Sequence, residues 1–291
     1  MQFAIDIPNF LEYADPHLVA DVAREAEDAG WDAIWIWDHI LRSPADPHAD
    51  PWILLAAIAA ATTRMRLGPM VVPLARRRPS DVARQAVTLD HLSRGRVTLG
   101  VGSGSRDHEF TSFGDAADLR TRAEMLDEGL AVIAGLWSGG RVDFDGRHFH
   151  THVASFLPVP VQRPRIPVWV AATWPVRAPL RRAARWDGVW PLKRDAAGNS
   201  ISVTPEDVRG VCAAIAEERA AQALPAQPAG GTRPFDVLVA GRTPTGDSSA
   251  ASAMVREFEE AGATWWTERI NRDRGDISVQ RERIRRGPPR L

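Results

Sequence analysis

The alternation of short β-rich segments with capped amphipathic segments limits most strongly what this chain can fold into. Each of eight apolar runs is followed by a segment with helical periodicity. Helix starts carry a capping residue and then proline, as at Asp15-Pro16, Asp50-Pro51 and Thr204-Pro205, and glycine follows helix ends at Gly30 and Gly262. Strands that each feed a helix predict a parallel sheet covered by helices.

The number of strands distinguishes between two such folds. The predicted strands are Phe3–Pro8, Ala33–Asp38, Met65–Leu74, Val97–Val101, Val168–Ala172, Gly188–Leu192, Phe235–Ala240 and Thr264–Glu268. Eight strands, each followed by a helical segment, favour a single (β/α)8 TIM-barrel domain over residues 1–291. A doubly wound open sheet is the alternative, but the turn Pro8-Asn9-Phe10-Leu11 lacks the glycines of a dinucleotide-binding loop. We expect an insertion at about 138–167, after the fourth helix, and a surface linker at about 222–234.

Composition favours a small-molecule partner. The chain has 36 basic and 37 acidic side chains, so it lacks the charge excess that attracts nucleic acid or anionic lipid. A single cysteine, Cys212, excludes an intrachain disulfide framework. The first residues do not resemble a secretory signal, and the apolar run Ile53–Ala61 is too short to span a bilayer. These features predict a cytoplasmic protein.

The residues that follow the strands are the candidates for chemistry, because they form the active rim of a barrel. His39 follows the second strand directly and is the best acid/base candidate. Its neighbour Asp38 is expected to orient the imidazole or tune its pKa. The alternative is a histidine that only hydrogen-bonds within the barrel mouth.

Two small-residue turns are candidates for binding a phosphate. Gly102-Ser103-Gly104-Ser105 would let backbone N–H groups approach a ligand closely, although a tight strand-to-helix turn also calls for glycine. Ala172 and Thr173, which precede Arg177, are expected to complete the phosphate site. Arg177 is expected either to contribute to this phosphate site or to be an ordinary arginine on a helix surface.

Two further motifs are interpreted as structural. His148, His150 and His152 alternate, so in a strand they would share one face and could approach a metal ion. No carboxylate cluster is evident beside them and they lie outside the rim turns, so no metal site is predicted. Arg76-Arg77-Arg78 is predicted to be a solvated loop, with attraction of an anionic substrate or cofactor tail as the alternative.

Several ordered motifs resemble the bacterial luciferase-like monooxygenase family, whose members use flavin or coenzyme F420. The motifs that carry the resemblance are Ala26–Trp35 leading to Asp38-His39, Ala60–Gly68, Arg78-Pro79, Thr88–Val97, Leu99–Gly104, Pro167–Ala172, Arg182–Pro191 and Ala261–Trp266. Most of them fall within residues 1–195.

The resemblance implies a flavin- or F420-dependent oxidoreductase of the monooxygenase or dehydrogenase type. It implies a flavin or deazaflavin ring in the barrel mouth against the third strand, over a non-prolyl cis peptide near Met70-Val71. It also implies that Asp38 and His39 flank the reactive ring face as catalytic residues, and that the phosphate tail contacts Gly102, Ser103, Gly104, Ser105, Ala172 and Thr173. FMN or F420 is the expected cofactor, with F420 slightly favoured, and the expected chemistry is hydride transfer on a small organic substrate. Family members often pair, so a homodimer is expected.

Two positions depart from the family pattern. Ser105 stands where the related F420-dependent sugar-phosphate dehydrogenases carry an acid, which argues against a sugar-phosphate substrate. Ala171-Ala172 stands where many relatives carry glycines. Two alternative functions remain open: a flavin-binding protein without turnover and, less favoured, a metal-dependent barrel hydrolase.

Overall fold

The computed structural model describes residues 1–116, 118–224 and 234–291. Most of the predicted linker, at 225–233, lies outside the described residues. The strands are β1 (Gln2–Ile7), β2 (Ala33–Ile36), β3 (Arg66–Pro69), β4 (Val72–Pro73), β5 (Leu99–Gly102), β6 (Val142–Asp145), β7 (His150–Val153), β8 (Val168–Trp174), β9 (Gly188–Arg194), β10 (Ser200–Ile201), β11 (Asp236–Gly241) and β12 (Trp265–Arg269).

Helices follow most of the long parallel strands. They are α1 (Pro16–Asp28), α2 (Pro51–Ala61), α3 (Pro79–Ser93), α4 (His108–Thr111), α5 (Leu119–Trp137), α6 (Arg177–Ala183), α7 (Pro205–Ala221), α8 (Ser248–Glu260) and α9 (Ile277–Arg285). Short 3-10 turns lie at Leu11–Ala14, Leu74–Arg76 and Arg272–Arg274. Two predicted caps are confirmed: Asp50 accepts the N–H groups of Trp52 and Ile53, and Thr204 forms a capping box with Asp207.

The chain divides into two compact units. The first unit contains Met1–Ile7, Val22–Trp35 and Val168–Leu291, and the second contains Pro8–Asp21 and Ile36–Pro167.

The first unit is built on a sheet in which β2, β1, β12, β11, β9 and β8 are neighbours in that order. β12 pairs in parallel with β1 and β11, and β9 with β11 and β8. Trp35, Trp169 and Trp265 are almost completely buried, and their ring centroids lie 5.2 to 5.7 Å apart. Such aromatic contacts add to the free energy of apolar burial, so the three rings form a rigid part of the core.

The second unit contains the other parallel strands. β4 pairs with β5 in parallel, and an isolated bridge joins Leu67 of β3 to Val97. The predicted third strand, Met65–Leu74, is interrupted by a cis peptide between Met70 and Val71, which separates β3 from β4. Within the segment predicted as an insertion, β6 and β7 form an antiparallel hairpin.

No helix among the described residues combines the length and apolar character needed to cross a membrane.

Gly68 lies where the backbone of β3 closely approaches that of Thr98. A Cβ atom at this position would lie 1.9 Å from the carbonyl oxygen of Thr98. Gly68→Ala should therefore lower the free energy of unfolding by about 2–4 kcal/mol or prevent folding, because the strands must move apart. Chemical denaturation of the purified variants would measure the change.

Gly140→Ala is the matched control, since its Cβ would meet nothing closer than Ser138 Oγ at 3.6 Å. The control should stay within about 0.5 kcal/mol of the wild type. Equal stability of the two variants would show that β3 tolerates a side chain at position 68.

Candidate active site

The backbone of His39 is fixed by a buried asparagine of the second unit. The His39 N–H donates to Asn9 Oδ1 at 3.1 Å, and Asn9 Nδ2 donates to the carbonyls of His39 at 2.7 Å and Ala49 at 2.8 Å. Asn9 is completely buried, so water does not compete for these bonds. Because Asn9 follows β1 and His39 follows β2, one amide ties two strand ends together.

The imidazole ring of His39 is held by Glu109, which the sequence analysis missed. His39 Nδ1 lies 3.0 Å from both carboxylate oxygens of Glu109. Glu109 Oε1 also accepts the N–H groups of Ile40 at 3.0 Å and Leu41 at 3.1 Å. Glu109 is only 3% exposed, whereas the side chain of His39 is 16% exposed. One buried carboxylate therefore orders both the ring and the loop that carries it.

The charge state of Glu109 determines which ring nitrogen of His39 is available. Burial alone would raise the pKa of Glu109, but the hydrogen bond to His39 and the charge of that ring when protonated, with the N–H of Leu41 and the charge of Arg76, lower it to about 2. An ionised carboxylate can only accept hydrogen bonds, so Nδ1 of His39 must donate to it. In a neutral imidazole the other nitrogen, Nε2, is then a proton acceptor.

The carboxylate of Asp38 is engaged by two arginines, while its predicted catalytic role stays a prediction. Its carboxylate accepts hydrogen bonds from Arg76 Nη2 at 3.0 Å and from Arg77 Nη2 at 2.8 Å and Nε at 2.9 Å. The prediction that Asp38 orients the His39 ring is therefore wrong. Glu109 contacts the ring, and the Asp38 carboxylate is hydrogen-bonded to two guanidinium groups. Burial tends to lower the pKa of Arg77, but the Asp38 carboxylate outweighs this and raises it.

The predicted solvated loop at Arg76-Arg77-Arg78 is also corrected. The side chains of Arg76 and Arg77 are only 4% and 21% exposed, because they fold onto Asp38. The ionised carboxylates of Asp38 and Glu109 balance the two guanidinium groups, so a neutral His39 leaves this cluster without net charge. A proton taken up by His39 would add one positive charge to it.

A short helix delivers Glu109 to the site, and Arg122 of α5 anchors that helix. Arg122 is 1% exposed; its Nη2 lies 2.8 Å from Asp107 Oδ1, and its guanidinium lies 4.4 Å from the ring centroid of Phe110. His108 Nε2 lies 2.7 Å from the carbonyl of Leu41. The sequence signal for this arrangement is weak: a single acid on a four-residue helix that follows the glycine-rich turn.

Most of the predicted cofactor-binding segments come together in the second unit. The expected cis peptide between Met70 and Val71 is present. A Cβ at Gly100 would lie 2.4 Å from Met70 Sδ, and one at Gly104 would lie 2.5 Å from the ring of Phe110. The turn at 102–105 therefore packs beside the residue that follows Glu109. Met70 is buried, Ser103 is half-buried and Ser105 is exposed.

The remaining predicted contacts belong to the first unit. Ala172 and Thr173 lie near the end of β8, where Ala172 is buried and Thr173 half-buried. Their predicted contact with a phosphate stays a prediction. Arg177 forms a surface ion pair with Glu217 at 2.7 Å, which favours the structural interpretation of this arginine.

The histidines of the hairpin are paired with carboxylates that the sequence pattern did not reveal. His148 Nε2 lies 3.0 Å from Glu124 Oε2, and His150 Nδ1 and His152 Nε2 each lie 3.1 Å from Asp145 Oδ1. Across the three described ranges, no group of three or more His, Cys, Asp or Glu side chains is placed to hold a metal ion.

Two buried polar atoms beside His39 indicate the kind of ligand that fits. Among the described residues, neither Trp37 Nε1 nor Arg76 Nη1 has a hydrogen-bond partner, although Arg76 Nη1 lies 3.6 Å from a Glu109 oxygen. The Trp37 and His39 rings pack edge to face with centroids 6.1 Å apart. Buried donors favour a ligand with acceptor atoms, and the carbonyls and ring nitrogens of a flavin or deazaflavin supply them.

The sequence profile of the luciferase-like monooxygenases matches residues 1–273. The chain belongs to the luciferase-like monooxygenase family. It is 36% identical over 163 residues to an F420-dependent glucose-6-phosphate dehydrogenase of Kineococcus radiotolerans, covering 55% of this chain and 48% of the relative. It is 33% identical over 177 residues to an F420-dependent hydroxymycolic acid dehydrogenase of Mycobacterium tuberculosis, covering 58% and 47%. The chain thus spans about half the length of these relatives.

Solved structures of the same fold show the architecture of this luciferase-like protein. An F420-dependent secondary alcohol dehydrogenase, solved in complex with an F420-acetone adduct, superposes with a TM-score of 0.80 at 16% identity, over 99% of this chain and 98% of the other. The predicted (β/α)8-barrel class is confirmed by this likeness.

The depressed pKa of Glu109 predicts a specific pH dependence of stability. The contribution of this carboxylate to folding is fully present above its unfolded pKa and is lost as the pH falls toward about 2. The difference in unfolding free energy between the wild type and Glu109→Gln should therefore shrink by about 1–2 kcal/mol between pH 6 and pH 3. Denaturant titrations at several pH values measure it.

Glu260→Gln provides the matched control, because Glu260 is exposed at the end of α8. The difference in unfolding free energy between Glu260→Gln and the wild type should change little between pH 6 and pH 3. A pH-independent difference for Glu109→Gln would mean that this carboxylate is not held ionised by the fold.

Proposed function

We propose that this luciferase-like protein is an F420-dependent oxidoreductase in which His39 moves the proton that accompanies hydride transfer on a small, largely apolar organic substrate. The observation that carries the proposal is the buried contact between Glu109 and His39 Nδ1, at 3.0 Å, in a chain of this family. The names of the curated relatives support F420 as the cofactor.

The chain's own residues perform the proton part of the reaction. With Nδ1 donating to Glu109, Nε2 of His39 is free to accept a proton from a substrate hydroxyl during oxidation. In the reverse direction the protonated ring donates from Nε2 to the carbonyl oxygen of the substrate. Glu109 is a positioning residue, since it acts through the imidazole and stabilises its charged form.

The cofactor would be held by residues from the predicted segments. When bound, F420 or FMN supplies the ring atom that accepts or donates hydride. Met70 and Val71 would support the ring, Trp37 and Arg76 would offer it buried donors, and the turn at 102–105 would approach the phosphate tail.

Ser105 argues against a sugar phosphate as the substrate. It stands where related F420-dependent sugar-phosphate dehydrogenases carry an acid, and Glu109, the buried acid four residues later, is already engaged by His39. Trp37 and Phe10 both pack against the His39 ring, with centroids within 6.1 Å. Aromatic walls favour an apolar substrate.

FMN is the second candidate cofactor, because the family includes monooxygenases. A reducing compartment is proposed from the single Cys212, with small molecules rather than nucleic acid as ligands and a homodimer as the assembly. A flavin-binding protein without turnover is the remaining alternative.

The cofactor proposal is tested by absorption titration of the purified protein with F420 and with FMN. The names of the curated relatives favour F420, so we expect it to bind at least about tenfold more tightly than FMN, a difference of roughly 1.4 kcal/mol. Tighter binding of FMN would reassign the cofactor. Binding of neither would contradict the proposal.

The role of His39 is tested by His39→Ala. We expect turnover of the F420-loaded enzyme with a panel of secondary alcohols to fall about 100- to 1000-fold, because the substrate proton loses its acceptor. The dissociation constant for F420 should change by less than about threefold. Steady-state kinetics and the absorption titration give the two values.

His17→Ala is the matched control, because His17 lies exposed at the start of α1. This variant should leave both the turnover and the dissociation constant for F420 unchanged. A parallel loss of F420 binding and turnover in His39→Ala would instead assign His39 a structural role.

A further inference from the structure

A cationic groove lies in the first unit between the start of α8 and the end of the chain. It has a volume of about 630 Å³, which is within the range of small-molecule sites. Arg283, Arg286 and Arg290 line one side, and residues 243–252 line the other. Among the described residues that line the groove, Asp247 is the single acid, and its side chain accepts the N–H of Ala250.

The charge behind the groove is also unbalanced. Glu268 is completely buried, and it forms ion pairs with both Arg274 and Arg283. Its oxygens also accept hydrogen bonds from the N–H and the hydroxyl of Thr243, each at 3.0 Å, and from Trp266 Nε1 at 3.0 Å. One carboxylate thus faces two guanidinium groups, which leaves one formal positive charge at the wall of the groove.

Burial and the crowding of arginines lower the pKa values of two of these side chains. Burial and the nearby charge of Arg286 lower the pKa of Arg283 to about 10. Burial, with the charges of Arg283 and Arg242, lowers the pKa of Arg274 to about 10 as well. An anion in the groove would offset this repulsion, because the attraction between an anion and a guanidinium group is strong where water is partly excluded.

The geometry of the donors favours phosphate groups. Arg283 is 9% exposed and is fixed by Nη1 donating to the Gly287 carbonyl at 2.8 Å and Nη2 to Thr243 Oγ1 at 3.1 Å. Arg286 and Arg290 are exposed. Arg286 Nε donates to Glu282 Oε1 at 3.2 Å, but an exposed pair of this kind is weak, so the guanidinium can turn toward a ligand. Guanidinium groups form paired hydrogen bonds with phosphate oxygens, and Ser248 and Ser249 also line the groove.

We infer that this groove binds a small molecule that carries a pyrophosphate or two neighbouring phosphate groups. The residues involved all belong to the first unit, whereas His39 and Glu109 belong to the second. The inference is therefore independent of the proposed redox function.

The test uses isothermal titration of the full chain with pyrophosphate, with sulfate as the comparison anion. We expect pyrophosphate to bind at least about tenfold more tightly than sulfate, since it spans two guanidinium groups, and its binding to weaken with salt. Equal binding of the two anions would show that the groove attracts anions in general, which would overturn the inference. So would the absence of pyrophosphate binding at millimolar concentration.

The double variant Arg286→Glu, Arg290→Glu tests the location of binding. Both side chains are exposed, so folding should be preserved, and the pyrophosphate dissociation constant should rise at least about tenfold. Arg256→Glu is the matched control, because Arg256 is exposed on α8 outside the groove lining and should change the constant less than about threefold. Equal losses in the two would show that net charge alone governs binding.

Discussion

The candidate site depends on one buried carboxylate. Glu109 is 3% exposed, yet it is held ionised, because every group that contacts its oxygens is a donor. Removing a carboxylate from water is costly unless donors replace the lost hydration. Here the His39 ring and two backbone N–H groups do so, with Arg76 close by. The ring orientation, the shape of the loop and the available imidazole nitrogen all follow from that compensation.

The surrounding residues make this arrangement rigid. Asn9 fixes the backbone of His39, and Arg122 fixes the short helix that carries Glu109. Asp38 and Glu109 together balance Arg76 and Arg77, so the two arginines add no net charge to the site. The proposed proton carrier, His39, thus sits in surroundings that keep its geometry while its charge changes, which general acid/base catalysis requires.

The elements of this fold were readable from the sequence because their signals are local. The helices Pro51–Ala61 and Pro205–Ala221 begin at predicted caps, since a capping residue followed by proline marks each start. The hairpin of β6 and β7 was missed, because short polar strands carry little apolar periodicity. The break between β3 and β4 was anticipated only through the family resemblance.

The site was predicted less completely, because its contacts join residues far apart in the chain. His39 was identified by its position after a strand. Its partner Glu109 lies 70 residues away, and no local pattern connects the two. Asp38 was assigned to His39 because it is adjacent, but neighbouring side chains on an extended segment point in opposite directions, and Asp38 meets Arg76 and Arg77 instead.

The most direct test of this account is the tautomer of His39, observed by ¹⁵N NMR of histidine-labelled protein at about pH 9, where an ordinary imidazole is neutral. Comparison with His39→Gln assigns the signals. The contact with Glu109 predicts a protonated Nδ1 and an unprotonated Nε2. A spectrum with the proton on Nε2 would contradict the account, because Glu109 would then not be the acceptor that orients the ring.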